Sequence, residues 1–153
     1  MSGREVYAMG AYGRSRQTGA TPQAIWRLWS DPSTWQEWNP NVQRMEVNGP
    51  FADGTTGIMH TPAGQHHQIA FSNIRPGQSF DLETTVIPLT HFTFHCEVVP
   101  STEGSTISQT LKISGPLGFV FGPMAGERVA ASFEPLLAGL AAKAEGAQQT
   151  ASG

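Results

Sequence analysis

The side chains best suited to chemistry near neutral pH are five histidines: His60, His66, His67, His91 and His95. An imidazole titrates close to pH 7, so a histidine in an apolar pocket can hold or pass a proton, or orient a carbonyl. The tight turn Pro62-Ala63-Gly64 admits two registers for the segments beside it. A two-residue loop at Ala63-Gly64 sets His60 opposite His67. A three-residue loop with Gly64 as a bulge sets His60 opposite His66. In both, His67 shares a face with Ile69 and Phe71 and should point inward; the plainer alternative is a loop-end histidine half in water. His91 and His95 alternate with inward Phe92 and Phe94 and should face solvent. A metal would need a third ligand on the same face, so no metal and no cofactor are expected. Two more polar groups are candidates for the interior. Gln109 falls among the in-facing Ile107, Leu111 and Ile113. Arg128 lies one residue from the apolar Val129: turned inward it meets a ligand carboxylate or enolate, turned outward it pairs with Glu127 or another carboxylate. No nucleophile–base pair, carboxylate pair or phosphate loop is visible, which weighs against an enzyme.

Elements that would position these groups are legible in order. Glu5 to Ser15 alternates loosely as a strand. Thr21 can cap a helix with Pro22 at its first position, and Ile25, Leu28 and Trp29 form one apolar face. Asp31-Pro32-Ser33 stops it and starts a second, short helix carrying Trp35 and Trp38, which ends at Asn39-Pro40. Trp35 and Trp38 pack this helix on the rim of the sheet, or line a pocket mouth where a flat ring suits an aromatic ligand. Period-two patterns with short turns follow over Val42–Val47, Thr56–Thr61, Gln65–Ile74, Phe80–Ile87, His91–Val99 and Thr106–Ser114. Their clean alternation predicts an antiparallel sheet with one wet face. From Met124 to Glu145 the chain reads as a helix with Val129, Phe133, Leu136 (or Leu137) and Leu140 on its apolar face. Pro135 should kink or split it. The glycine-bracketed Pro116–Pro123 segment reads as a lid, a dimer contact or a packed connector. Small residues along the helix (Ala125, Gly126, Ala130, Ala131, Ala138, Gly139 and Ala141) leave room for a pocket, or serve only helix propensity.

Composition bounds the function classes. The 153 residues suit one domain with a real core, here residues 1–145, followed by a small polar tail over 146–153. Charged residues make up 14% and the net charge is −3, so nothing attracts nucleic acid or an anionic membrane. The single Cys96 forms no internal disulfide. No apolar run suits a leader or a bilayer span, and the cytoplasm is the expected compartment.

The segment Trp35-Gln36-Glu37-Trp38-Asn39-Pro40-Asn41-Val42 carries a resemblance. It follows Ala20-Thr21-Pro22-Gln23-Ala24-Ile25-Trp26 and Asp31-Pro32, and precedes Gly54-Thr55-Thr56-Gly57 and Glu103-Gly104-Ser105-Thr106. In order and spacing these resemble the START-like superfamily, that of polyketide cyclases/dehydrases, lipid-transport proteins and birch-pollen-allergen proteins, over about Glu5 to Glu145. The resemblance implies an α+β helix-grip fold: a curved seven-stranded antiparallel sheet wrapped around a long C-terminal helix, with two short helices after the first strand. It also implies an apolar internal cavity. The leading expectation is binding of a small hydrophobic molecule, lipid or polyketide-like. The alternatives are a cyclase or dehydratase using His67, Gln109 and Arg128, or a protein-interaction module such as a toxin–antitoxin component. The residues expected at the ligand are Trp38, His60, His67, Ile69, Phe71, Phe92, Phe94, Gln109, Leu111, Val129 and Phe133. A homodimer is compatible with the apolar segment before the long helix.

Overall fold

The computed structural model describes residues 11–85, 89–116 and 118–152. The chain begins with β1 (Ala11–Thr18), helix α1 (Pro22–Trp29), a 3₁₀ turn (Pro32–Thr34) and the one-turn helix α2 (Trp35–Trp38). Six strands follow: β2 (Arg44–Val47), β3 (Thr56–His60), β4 (His66–Arg75), β5 (Ser79–Thr84), β6 (His91–Ser101) and β7 (Gly104–Ser114). Two helices close the chain, α3 (Gly118–Ala131) and α4 (Phe133–Ser152). The expected strand residues Glu5–Gly10 and Val86–Ile87, and Leu117 of the connector, lie outside the described residues.

All seven strands form one antiparallel sheet in the order β1-β7-β6-β5-β4-β3-β2. Consecutive strands from β2 to β7 are neighbours, and α1 and α2 carry the chain between the two edges. A register shift between Ser72 and Arg75, with Asn73 at φ 50°, bends β4 against β5. Such a bulge adds curvature, which makes one face of the sheet concave. That face presents Ile69, Phe71, Phe80, Leu82, Phe92, Val98, Ile107 and Leu111, all buried.

Local chemistry sets the helix ends. Thr21 Oγ1 accepts from Ala24 N at 3.1 Å, and Pro22, which has no N–H to satisfy, opens α1. Ile25, Leu28 and Trp29 are its buried face, as their spacing predicts. Asp31 accepts from Ser33 N at 3.3 Å to start the 3₁₀ turn. Pro135 splits the long helix rather than kinking it. In a continuous helix its ring would strike the carbonyl four residues back, at Ala131, which is where α3 ends. Pro135 then sits in the first turn of α4, where a missing N–H costs nothing.

Two features differ from the sequence reading. Beyond Gly115-Pro116 the chain is helical from Gly118, so residues 118–123 of the expected connector belong to α3. At the other end α4 runs to Ser152, through the segment expected to fray from Gly146. Its alanine-rich composition favours helix, and Gln148 Oε1 accepts from Thr21 N at 3.0 Å while Glu145 accepts from Thr18 Oγ1 at 2.6 Å. These bonds tie the end of α4 to the start of α1.

Candidate functional site

Between the curved sheet and the helices lies a cavity of about 230 Å³. Its walls are mostly aromatic and aliphatic. Trp29 comes from α1, Trp35 and Trp38 from α2, Met59 from β3, Phe80 and Leu82 from β5, Phe92 and Phe94 from β6, and Val129, Phe133 and Leu136 from the helices at the α3–α4 break. Polar groups interrupt this lining at Asn39, Asn41, Thr61, His67, Thr84, Gln109 and Ser132. Asn41 Nδ2 donates to Ser132 O at 3.3 Å, and so meets one of the carbonyls that the helix break leaves open.

Of the residues expected at a ligand, Trp38, His67, Phe92, Phe94, Gln109, Val129 and Phe133 line this cavity. Ile69, Phe71 and Leu111 point to the same side of the sheet but are sealed in the packed core. His60 lies on the opposite face. The register is Met59↔His67 and His60↔His66, so the three-residue loop is the one formed. Gly64 at φ 88° supplies the left-handed residue that this loop requires. One step of register moves every side chain of the strand to the other face, and this one turns His60 outward. Arg128 is exposed and away from the cavity. Val129 faces inward, and the next helical position back is rotated by about 100°. Arg14 on β1 is a cation that does reach both α3 and α4. It pairs with Glu127 on α3 at 2.9 Å and Glu134 on α4 at 3.1 Å, spanning the break.

The small helix residues do not form the hollow. None of Ala125, Gly126, Ala130, Ala131, Ala138, Gly139 and Ala141 lines it. Gly139 serves a close approach instead: a Cβ there would overlap the carbonyl oxygen of Trp38. Sequence reasoning missed Asn39, Asn41 and Ser132, which lie at turns and at the break, outside any periodic pattern, and Thr61, at the end of an expected strand. Its alternation with Phe92 and Phe94 puts Cys96 on their inward face, and Cys96 lines the cavity there, though it was not among the residues expected at the ligand.

Electrostatics separate the two faces of the sheet. Inside, burial lowers the pKa of His67, aided by the charge of nearby His66, so its imidazole is neutral at pH 7. Burial likewise raises the Cys96 thiol far above its ordinary value, with the Asp81 charge adding to it. Outside, histidines pair with carboxylates. His91 Nε2 meets Glu83 at 2.9 Å, His95 Nδ1 meets Asp81 at 2.6 Å, and His60 meets Glu46. His91 and His95 thus take the outer face, as their alternation predicts, but in contact with carboxylates rather than free in water. His60 and His66 share a hydrogen bond of 2.6 Å between their Nδ1 atoms. Among the described residues, no three His, Cys, Asp or Glu side chains converge as a metal-binding set. No helix among them is long and apolar enough to cross a membrane.

Comparison with known proteins gives the same architecture. A search of curated proteins returns no match. Among solved structures, the di-domain ARO/CYC StfQ from the steffimycin biosynthetic pathway superposes with a TM-score of 0.73 at 15% identity, covering 96% of this chain and 55% of that one. Ara h 8.0201 gives 0.63 at 11% identity, covering 85% of this chain and 96% of that one. A norcoclaurine synthase from Thalictrum gives 0.58 at 17% identity, covering 82% and 93%. At these identities the likeness is one of fold. The profile of the family described as polyketide cyclase / dehydrase and lipid transport matches residues 10–145, nearly the whole chain. The chain therefore belongs to the polyketide cyclase / dehydrase and lipid transport family of START-like, helix-grip proteins.

Proposed function

We propose that this protein binds a small, largely apolar molecule, lipid or polyketide-like, between the sheet and the helices. The observation that carries this reading is the hollow of about 230 Å³ with its aromatic and aliphatic walls. An unfilled hollow of that size is costly to a fold, since each Å³ of cavity loses about 24 cal/mol of packing. The volume lies below the ~300 Å³ at which pockets for drug-sized ligands begin, so the guest has one or two rings, or a short acyl chain. The family's description, which covers both cyclisation and lipid transport, supports a guest of this kind. Native mass spectrometry of protein purified from its own source should retain an apolar adduct. A bare mass there, together with no hit across a broad screen of ring compounds and fatty acids, would overturn the reading.

One observation favours a second reading, acid–base catalysis on the bound guest. His67 lines the cavity in its neutral form, and none of the described residues holds its imidazole. A neutral imidazole beside a poly-β-ketone can take a proton next to a carbonyl and return it to an oxygen, the exchange that cyclisation and dehydration require. StfQ, an ARO/CYC protein by its name, shares the fold. If His67 acts in this way, His67→Ala should abolish turnover of a poly-β-ketone and leave the melting temperature nearly unchanged. An unaltered rate would remove His67 from the chemistry and leave the binding reading standing.

A further inference from the structure

Most polar groups on the cavity wall already have partners. Thr84 Oγ1 donates to Gln68 O at 2.7 Å, Thr61 Oγ1 accepts from Gln65 N at 3.1 Å, and Asn39 Oδ1 accepts from Asn41 N at 2.9 Å. Gln109 differs. Cys96 stands directly opposite it in the β6–β7 ladder and donates its S–H to Gln109 Oε1 at 3.5 Å. The thiol is buried and keeps its proton at any working pH, so the sulfur remains a donor. A donor on the carbonyl side fixes which way the amide faces. The NH2 group is then the part of Gln109 left over, and none of the described residues accepts from it.

It is not a sealed, unsatisfied group either: among the described residues, the buried side-chain nitrogens and oxygens without partners are Trp38 Nε1 and Ser101 Oγ. Arg14, beside Gln109 in the β1–β7 ladder, does not compete as a donor. Its three nitrogens bond Glu134, Gly13 O and Glu127.

We propose that Gln109, oriented by the Cys96 thiol, presents its amide N–H donors to the cavity and selects guests that carry an acceptor oxygen, a ketone or a phenolic hydroxyl, on an otherwise apolar ring frame. The proposal rests on the cavity being a ligand site and adds a polar requirement to it. An alkyl chain or bare hydrocarbon leaves the N–H donors of Gln109 unmet, whereas a ring ketone meets them.

The test compares 1-tetralone with tetralin, which match in shape and differ by one carbonyl, in calorimetric or competition titrations. Partition from water alone favours tetralin, because the ketone must shed its hydration. Wild-type protein should nonetheless bind 1-tetralone about fivefold or more tightly than tetralin. Gln109→Leu should abolish that preference while still binding tetralin. Gln109→Glu keeps the shape and the thiol's acceptor but lacks the NH2 group, so it should lose the preference too; it also stands in if the leucine variant fails to fold. Equal affinity of wild-type protein for the two compounds, or a preference that survives in both variants, overturns the role of Gln109 and leaves the cavity reading intact. No binding of either compound by wild-type protein overturns both.

Discussion

His95 and Asp81 face each other across β5 and β6 on the outer side of the sheet, with side chains 28% and 14% exposed. The hydrogen bond to Asp81 raises the pKa of His95, against a smaller opposing effect of burial. Burial alone would raise Asp81, but hydrogen bonds from His95 and Asn73 outweigh it and hold the carboxyl below its ordinary value. The contribution of His95 is complete below the ordinary histidine pKa and is lost as pH rises through its raised value; that of Asp81 is complete above the ordinary aspartate pKa and is lost as pH falls through its lowered value. Together they stabilise most between about pH 4 and 6.5. His95→Gln should therefore cost about 1 kcal/mol in urea unfolding near pH 5.5 and clearly less at pH 9. An equal cost at both pH values would show that the pair does not act through charge. The inward side of the same strand, Phe92, Phe94 and Cys96, was legible because alternation fixes a face once one residue is known to be buried. His60 was not, because its face depends on whether two or three residues close one turn, and Gly64 suits both. Arg14 was missed for a different reason: its partners Glu127 and Glu134 lie 113 and 120 residues away, and no local pattern marks such a pair.

Helix order and type could be read from caps and apolar spacing, and Pro135 announced the division between α3 and α4. What the chain did not reveal is the use of each small residue. Gly139 reads as a place where space is left for a guest, yet α4 uses it to lie against the carbonyl of Trp38 at the end of α2. Trp38 lines the cavity, so this contact bears on one of its walls. Gly139→Ala sets two effects against each other. Helix propensity gains about 1 kcal/mol, whereas overpacking against a backbone carbonyl, which cannot rotate away, costs roughly 1–3 kcal/mol. The clash should win, with a net loss of about 1 kcal/mol or more in chemical denaturation, and affinity for 1-tetralone should fall as Trp38 shifts. A stabilised variant would mean that α4 sits farther from α2 than the structure places it. Gly146→Ala is the control: a Cβ there meets nothing within 4 Å, so only propensity should act and the variant should be stabilised.

Among the described residues, the sheet and the helices bury a common core and leave a hollow beside the α3–α4 break, where Val129, Ser132 and Phe133 share its wall with Trp38 and Phe94. A domain selected only for stability would fill that space, since cavity-filling substitutions are a common source of added stability. Retention of the hollow therefore makes guest binding and packing compete for the same volume, and one substitution can separate them. Val129→Phe extends a ring into the cavity from its helical wall. With the space filled, the variant should be as stable as wild type or about 1 kcal/mol more so. Binding of 1-tetralone should fall at least about tenfold. Thermal unfolding reads both effects. A guest at a hundred times its Kd adds about 2.7 kcal/mol to wild-type stability, a rise of several degrees for a chain of this length, and the variant at the same guest concentration should show about half that rise or less. If 1-tetralone raises the melting temperature of Val129→Phe as much as that of wild type, the guest is held elsewhere. If it unfolds far below wild type without any guest, that space is already occupied by well-packed side chains and the protein has no room for a ligand there.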